Sequence, residues 1–142
     1  MFQSSLRTGL KAKLDVPKAT GRVRHTPGSM NKTEARYSEY LNLRKHAGEI
    51  VQWWFEPLKF RLGKSVSYTL DFEVLYPDGR VEFVDVKGRR KNSGLWEAFW
   101  EDDTRVKIKV VAHNHPEFDF VGVHELDGGE WKVERFGDTK GD

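Results

Sequence analysis

The sequence contains no cysteine among its 142 residues and has no long run of apolar residues. The missing cysteines exclude disulfide bonds, thiolate metal ligands and cysteine nucleophiles, and they are compatible with a reducing compartment. The short apolar runs predict no membrane-spanning helix, and the N-terminus lacks the apolar core of a signal peptide. The chain is long enough for one domain with its own core. We therefore expect a soluble intracellular protein.

Charge is distributed unevenly along the chain, although the net charge is only +2. Residues 1–32 contain seven lysines or arginines and a single acid, Asp15, whereas the remainder contains 17 basic and 21 acidic residues. The first part of the chain also lacks apolar periodicity and is interrupted by glycine and proline. This composition predicts a flexible basic arm over residues 1–29, suited to phosphate backbones, followed by a single domain over residues 30–142. A tail that only increases solubility is the alternative.

Caps, turns and apolar patterns predict a first helix and several strands. Asn31 or Thr33 can cap a helix that runs to about Ala47, where Gly48 ends it. Strands are predicted near residues 50–55, 58–62, 66–75, 81–86, 118–123 and 131–136.

A second helix is predicted from Asp102 or Asp103 to about His115, where Pro116 stops it. Its apolar face is expected to contain one stripe formed by Val106, Val110 and His113. Ile108 and Ala112 are expected beside this stripe. This helix is long enough to connect two parallel strands, whereas the predicted hairpins are antiparallel. The fold class is therefore α/β with a mixed sheet.

Two carboxylates and a lysine are expected to meet at one end of that sheet. Asp85 and Lys87 lie two residues apart in a run typical of a strand, so their side chains leave the same face. Asp71 ends a preceding alternating stretch, and residues 76–80 contain the proline and glycine of a reversing turn, so a hairpin would return Asp85 toward Asp71. Such a cluster can hold Mg²⁺ through oxygen ligands while the lysine lies beside a phosphate or the attacking water. This chemistry is typical of nucleases.

The pattern from Asp71 to Asp85-Val86-Lys87 resembles the motif of the PD-(D/E)XK nuclease superfamily, with Leu70 at the place of its usual proline. Over about residues 31–123 the chain also resembles phage-type junction-resolving endonucleases. That likeness rests on residues 68–72, the turn at 77–79, residues 85–88, and the segment from 102–103 through 115–119. The opening at 31–37 is similar to that of small phage-encoded nucleases. The resemblance implies a restriction-endonuclease-like core with a mixed β-sheet flanked by helices.

The resemblance also implies roles for individual residues. Glu34, Asp71, Asp85 and Lys87 would be catalytic, and Mg²⁺, with Mn²⁺ as a substitute, would be held by Glu34, Asp71, Asp85 and the backbone carbonyl of Val86. Each role has a simpler alternative, because Glu34 can be a capping acid, Asp71 a solvated residue at a strand end, and Asp85 a surface ion pair with Lys87. One metal ion or two are both compatible with this set.

Basic and aromatic residues supply candidate contacts to DNA. Two groups of cations are expected to meet phosphates, and both can instead be solvated: Arg89, Arg90 and Lys91 after the motif, and Arg105, Lys107 and Lys109 on the second helix. Five aromatic residues can stack on bases, although packing in the core or a dimer is the favoured interpretation: Trp53, Trp54, Trp96, Phe99 and Trp100.

The sequence therefore predicts a Mg²⁺-dependent DNA endonuclease that acts on branched DNA in phage recombination or replication, like a Holliday junction resolvase. By resemblance it would be a homodimer in the cytoplasm, which is the host cytoplasm if the protein is phage-encoded, and an exchange of elements between the two chains would let Glu34 serve the partner's site. A nicking or flap nuclease, a non-catalytic DNA-binding module and a structural or interaction protein are the alternatives.

Overall fold

A computed structural model describes residues 28–92, 95–98 and 102–137, and for residues 89–92, 95–98 and 102 the description covers the backbone alone. The predicted basic arm lies outside the described residues except for residues 28 and 29. Within the described part of the chain, no helix is long and apolar enough to cross a membrane.

The chain forms two helices and nine strands in the described ranges. In order these are α1 Lys32–His46, β1 Gln52–Phe55, β2 Lys59–Arg61, β3 Ser67–Thr69, β4 Phe72–Leu75, β5 Val81–Lys87, β6 Arg89–Asn92, β7 Leu95–Ala98, α2 Asp102–Asn114, β8 Asp119–Glu125 and β9 Trp131–Phe136. Both predicted helices are confirmed to within one or two residues, and β9 has the predicted bounds.

Five strands form a mixed sheet in the order β1-β4-β5-β8-β9. The hairpins β4–β5 and β8–β9 are antiparallel, whereas β5 and β8 are parallel and are connected through α2. The predicted α/β class, the mixed sheet and the parallel crossover are therefore confirmed. Two smaller sheets, β2–β3 and β6–β7, each consist of one antiparallel hairpin.

Strand β5 is buried on both faces and separates two hydrophobic cores. Val84 and Val86 belong to the core on the α1 side, which also contains Tyr37, Leu41 and Phe72. The alternate residue Phe83 belongs to the core on the α2 side, together with Phe60, Tyr68, Phe120, Ile108 and Val111. A strand covered on both faces has few polar positions, so the carboxylate at Asp85 is unusual there.

The predicted apolar face of α2 is confirmed only in part. Ile108 and Ala112 are buried as predicted, together with Val111, whereas Val106 and Val110 are exposed. Two apolar stripes run along this helix, and the phenylalanine-rich face of β5 and β8 determines which of them is covered.

Two strand predictions also need correction. The single strand predicted over residues 66–75 is divided at Leu70 and Asp71, so that β3 pairs with β2 while β4 joins the main sheet. The sequence predicts no strand between residues 86 and 118, whereas Arg89–Asn92 and Leu95–Ala98 pair as the antiparallel hairpin β6–β7.

Candidate active site

The β4–β5 hairpin brings Asp71 and Asp85 together as the sequence predicts. Phe72 pairs with Val84 in the antiparallel register, so Asp71 immediately precedes this pair on one strand and Asp85 immediately follows it on the other. The turn between the strands is closed by a 2.9 Å hydrogen bond from the Tyr76 N–H to the Arg80 carbonyl. The two carboxylates therefore lie at the same end of the sheet.

Glu34 reaches this cluster from the first turn of α1. Its carboxylate accepts a hydrogen bond from the Asn31 N–H at 2.8 Å, and its own N–H donates to the Asn31 side chain at 2.8 Å. This reciprocal capping box fixes the start of the helix and the direction of the glutamate. Glu34 is only 3% exposed and lies beside Asp71, whose pKa its charge raises. The capping alternative is therefore correct but incomplete, since the same side chain caps the helix and contacts the acidic cluster.

Asp71 is oriented by the backbone of β5. Its Oδ2 accepts a hydrogen bond of 2.7 Å from the Val86 N–H, beyond the last paired residues of the β4–β5 ladder. The N–H and C=O of a strand residue leave the backbone on the same side. The Val86 carbonyl is therefore directed toward the side of β5 on which Asp71 lies, where the resemblance requires it.

Asp85 is buried beside Lys87, and the surface-pair alternative is wrong. The Lys87 Nζ lies 2.9 Å from Asp85 Oδ2, and the two side chains are 13% and 8% exposed. The Tyr68 hydroxyl donates a hydrogen bond to the same oxygen.

Tyr68 is the site residue that sequence reasoning missed. Tyr68 belongs to β3, which pairs with β2 rather than continuing into β4. This break in the strand lets the Tyr68 hydroxyl reach the Asp85 carboxylate. In a continuous strand over residues 66–75, Tyr68 would share a face with Phe72, on the α1 side of the sheet. The sequence pattern therefore gives no sign that Tyr68 contacts Asp85.

Burial and crowding of negative charge raise two pKa values in the cluster. Burial, followed by the charge of Glu34 and its hydrogen bond, raises the pKa of Asp71 well above the ordinary 3.8, although the Val86 N–H and Lys87 act in the opposite direction. Burial also raises the pKa of Asp85, and the attraction of Lys87 offsets this only in part. The folded state therefore disfavours the ionised forms of Asp71 and Asp85, and keeping these carboxyl groups charged lowers the free energy of unfolding.

We predict that Asp71→Asn stabilises the protein by about 1 kcal/mol at neutral pH in EDTA. The amide oxygen can still accept the Val86 N–H, while the buried charge beside Glu34 is removed. Urea unfolding of the variant and of a control, Glu130→Gln in an exposed turn, measures the difference, and no gain for Asp71→Asn relative to the control would contradict the account.

The same substitution is expected to change the pH dependence of stability. The folded-state pKa of Asp71 lies above the ordinary value of 3.8. Between pH 3.8 and that raised pKa, the folded protein therefore binds more protons than the unfolded chain. The free energy of unfolding therefore falls as pH rises through that window, and Asp71→Asn should make this fall less steep.

The donor set of the cluster fits a hard divalent cation. Three carboxylates and one carbonyl offer oxygen ligands, and in each carboxylate a protein donor orients one oxygen. Within residues 28–92, 95–98 and 102–137, no three His, Cys, Asp or Glu side chains already form a group that could hold a metal ion. Mg²⁺ commonly retains several waters and needs only one or two carboxylates, so proton release and small side-chain movements would suffice.

The cations predicted to contact DNA lie in different surroundings. Arg105 forms two hydrogen bonds to Glu134 on β9, whereas Lys107 pairs with Asp103 at 3.6 Å on the same helix. Lys109 is exposed on α2. The side chains of Arg89, Arg90 and Lys91 lie outside the described part of the structure, so their assignment stays a prediction.

Of the five aromatic residues considered for base stacking, the two whose side chains are described lie in different surroundings. Trp53 packs against the α1-side core, and its indole N–H donates to Asn42 at 2.9 Å. Trp54 is 41% exposed. Trp96, Phe99 and Trp100 lie outside the part of the structure in which side chains are described.

The fold and the cluster define an α/β protein that gathers three acids and a lysine at one end of a mixed sheet, where Glu34 and Asp85 are buried and Asp71 and Lys87 are partly buried. A family described as "Protein of unknown function (DUF1064)" matches residues 29–98, just under half of the chain. This region of similarity contains Glu34, Asp71, Asp85 and Lys87. No curated protein and no solved structure matches the chain.

Proposed function

We propose that the protein is a Mg²⁺-dependent DNA endonuclease that hydrolyses phosphodiester bonds through a restriction-endonuclease-like core. The observation that carries the proposal is the convergence of Glu34, Asp71, Asp85 and Lys87 at one end of β5. Burial raises the pKa of two of these acids, an arrangement that costs stability and is common at sites that do chemistry.

The surrounding architecture supports the same proposal. The acids of the motif lie on adjacent antiparallel strands, the glutamate comes from the helix that precedes them, and a parallel crossover follows them. This is the order of elements that the resemblance to the PD-(D/E)XK superfamily implies.

Each residue has a physical role in the proposed reaction. Glu34, Asp71, Asp85 and the Val86 carbonyl would hold Mg²⁺, which when bound would polarise the phosphate and lower the pKa of a water. Lys87 would offset the charge that develops on the phosphate and orient the attacking water. Tyr68 would hold the Asp85 carboxylate in place through its hydrogen bond, and Asn31 would do the same for Glu34.

The proposed substrate is branched DNA, with a four-way junction first among the candidates. This step depends on the resemblance to phage-type junction-resolving endonucleases, as does a homodimer with two sites that cut symmetric strands in recombination or replication. A nicking or flap nuclease would use the same cluster and differ in the DNA shape that it accepts.

Cleavage of labelled four-way, flap and linear duplex DNA by the purified protein tests the substrate. Paired cuts at symmetric positions of the four-way junction support the resolvase. Cuts confined to flaps or nicks would replace it with the alternative nuclease, and DNA binding without any cleavage would favour the non-catalytic binding module.

A further inference from the structure

A second polar surface lies on α2 and the edge strand β9, apart from the acidic cluster. It forms an open pocket of about 450 Å³ whose lining residues are Arg105, Lys109, His113, Glu134, Arg135 and Phe136, with Gly137. We call this surface the edge pocket. Three of its basic residues recur every four positions on α2, which places them along one side of the helix at intervals of about 6 Å.

The edge pocket has a net positive charge because Arg105 neutralises its acid and Lys109 adds a further charge, whereas Arg135 pairs with Glu82 at 4.0 Å. Glu134 receives two hydrogen bonds from Arg105, at 2.9 and 3.2 Å, so its carboxylate repels an incoming anion only weakly. Lys109 and His113 are exposed beside this pair. From residue 33 onward the chain has an excess of acids, so a polyanion is repelled by much of the domain and is attracted here.

The end of β9 closes the pocket through a close backbone approach to α2. Gly137 has a φ of +98°, and a Cβ placed there would lie 3.3 Å from the Cβ of Ala112. A larger residue would be strained at this φ and would press against the helix. Glycine at this position therefore lets the strand end pack directly beside the part of α2 that carries Lys109 and His113.

The register of the sheet relates the edge pocket to the acidic cluster. Glu134 pairs with Gly122, and Gly122 pairs with Asp85 on the next strand. Two strand spacings therefore separate the backbone at Asp85 from the backbone at Glu134, about 10 Å in total. Phe136 and Gly137 lie two and three residues beyond Glu134, away from the end of β5 that carries Asp85 and Lys87. A nucleic-acid strand cut at the cluster would therefore meet Lys109 and His113 through phosphates a few nucleotides from the cut.

We propose that the edge pocket binds the sugar–phosphate backbone of DNA a few nucleotides from the scissile bond, with Lys109 and His113 as the contacts and Arg105 as the residue that neutralises Glu134. The identity of the anion as DNA rests on the proposed endonuclease function. Lys109 supplies a charge and His113 a ring N–H one helical turn away, so the two contacts are spaced for an extended backbone rather than for a single small phosphate. Lys107 is not part of this surface, because it pairs with Asp103 and lines a different, apolar groove.

Binding of a short linear duplex in EDTA, measured for the full chain at several salt concentrations, tests this proposal without requiring cleavage. Lys109→Gln is expected to weaken binding about fivefold to tenfold near 0.1 M salt and to reduce the salt slope by about one. Lys107→Gln removes the same charge from the same helix and should cause a clearly smaller loss. Both residues are at the surface, so equal unfolding midpoints will verify that the variants are folded.

Unchanged affinity for Lys109→Gln, or equal losses for the two lysines, would overturn the edge pocket. The outcome of this binding test can be distinguished from the outcome of the cleavage test. Normal metal-dependent cleavage with unchanged Lys109→Gln binding would reject the pocket and keep the endonuclease. Selective loss of binding in a protein that never cleaves DNA would keep the pocket and reject the endonuclease.

Discussion

Lys87→Met is expected to lower the rate of Mg²⁺-dependent DNA cleavage by about 100- to 1,000-fold, the range typical for loss of a preorganised group that stabilises transition-state charge. The Lys87 ammonium lies 2.9 Å from Asp85 in a largely buried setting, where its charge is screened less than at the surface. Methionine preserves much of the side-chain length and removes the charge. Single-turnover cleavage at saturating protein measures the chemical step without a contribution from weaker binding.

The control for Lys87→Met must separate lost chemistry from lost folding, because removing one partner of a buried ion pair destabilises many proteins. Lys45→Met removes a lysine on the last turn of α1 whose Nζ donates to the Gln52 side chain at 3.0 Å, and this variant should cleave DNA normally. Lys87→Arg keeps a cation beside Asp85 and provides a second variant if methionine prevents folding. Wild-type cleavage by a folded Lys87→Met protein would contradict the proposed role.

Glu34→Gln is expected to reduce cleavage by about 100-fold while the protein remains folded. The amide retains the acceptor for the Asn31 N–H and so keeps the helix cap, but it loses the charge beside Asp71. The capping and catalytic roles of Glu34 are thereby separated in one variant. Single-turnover cleavage is the measurement, and full activity in Glu34→Gln would show that this glutamate is only a cap.

Mixing variants determines which chain supplies Glu34. The residue lies beside Asp71 of its own chain, whose pKa its charge raises, so each site should be assembled within one polypeptide. An equimolar mixture of Glu34→Gln and Asp85→Asn proteins, unfolded and refolded together, is therefore expected to stay inactive. Recovery of cleavage in mixed dimers would show instead that the glutamate acts in the partner's site.

The ends of α1 and the β4–β5 hairpin could be predicted because capping residues and turn residues close by in the sequence determine them. Asn31 and Gly48 mark the ends of α1, and the turn between Tyr76 and Arg80 sets the register that brings Asp71 to Asp85. These features depend on residues close together in sequence. The same information therefore predicted three of the four members of the cluster, and the resemblance supplied Glu34.

The remaining errors concern contacts between distant residues. Val106 and Val110 are as apolar as the buried Ile108 and Val111, and only the phenylalanines of the sheet decide which side of α2 is covered. The division of the 66–75 strand has a similar cause. Leu70 is fully buried in the α2-side core while Asp71 reaches the backbone of β5, so the chain changes sheets between β3 and β4. Tyr68 was missed as a consequence.

Cleavage of labelled four-way DNA by the wild-type protein and by Asp85→Asn, each in Mg²⁺ and in EDTA, tests the central claim most directly. Asparagine can still accept the hydrogen bond from Tyr68 but lacks the charge that would hold the metal ion. The account predicts cleavage only by the wild-type protein in Mg²⁺, with the variant folded and still able to bind DNA. Equal cleavage by a folded Asp85→Asn protein, or cleavage that persists in EDTA, would contradict it.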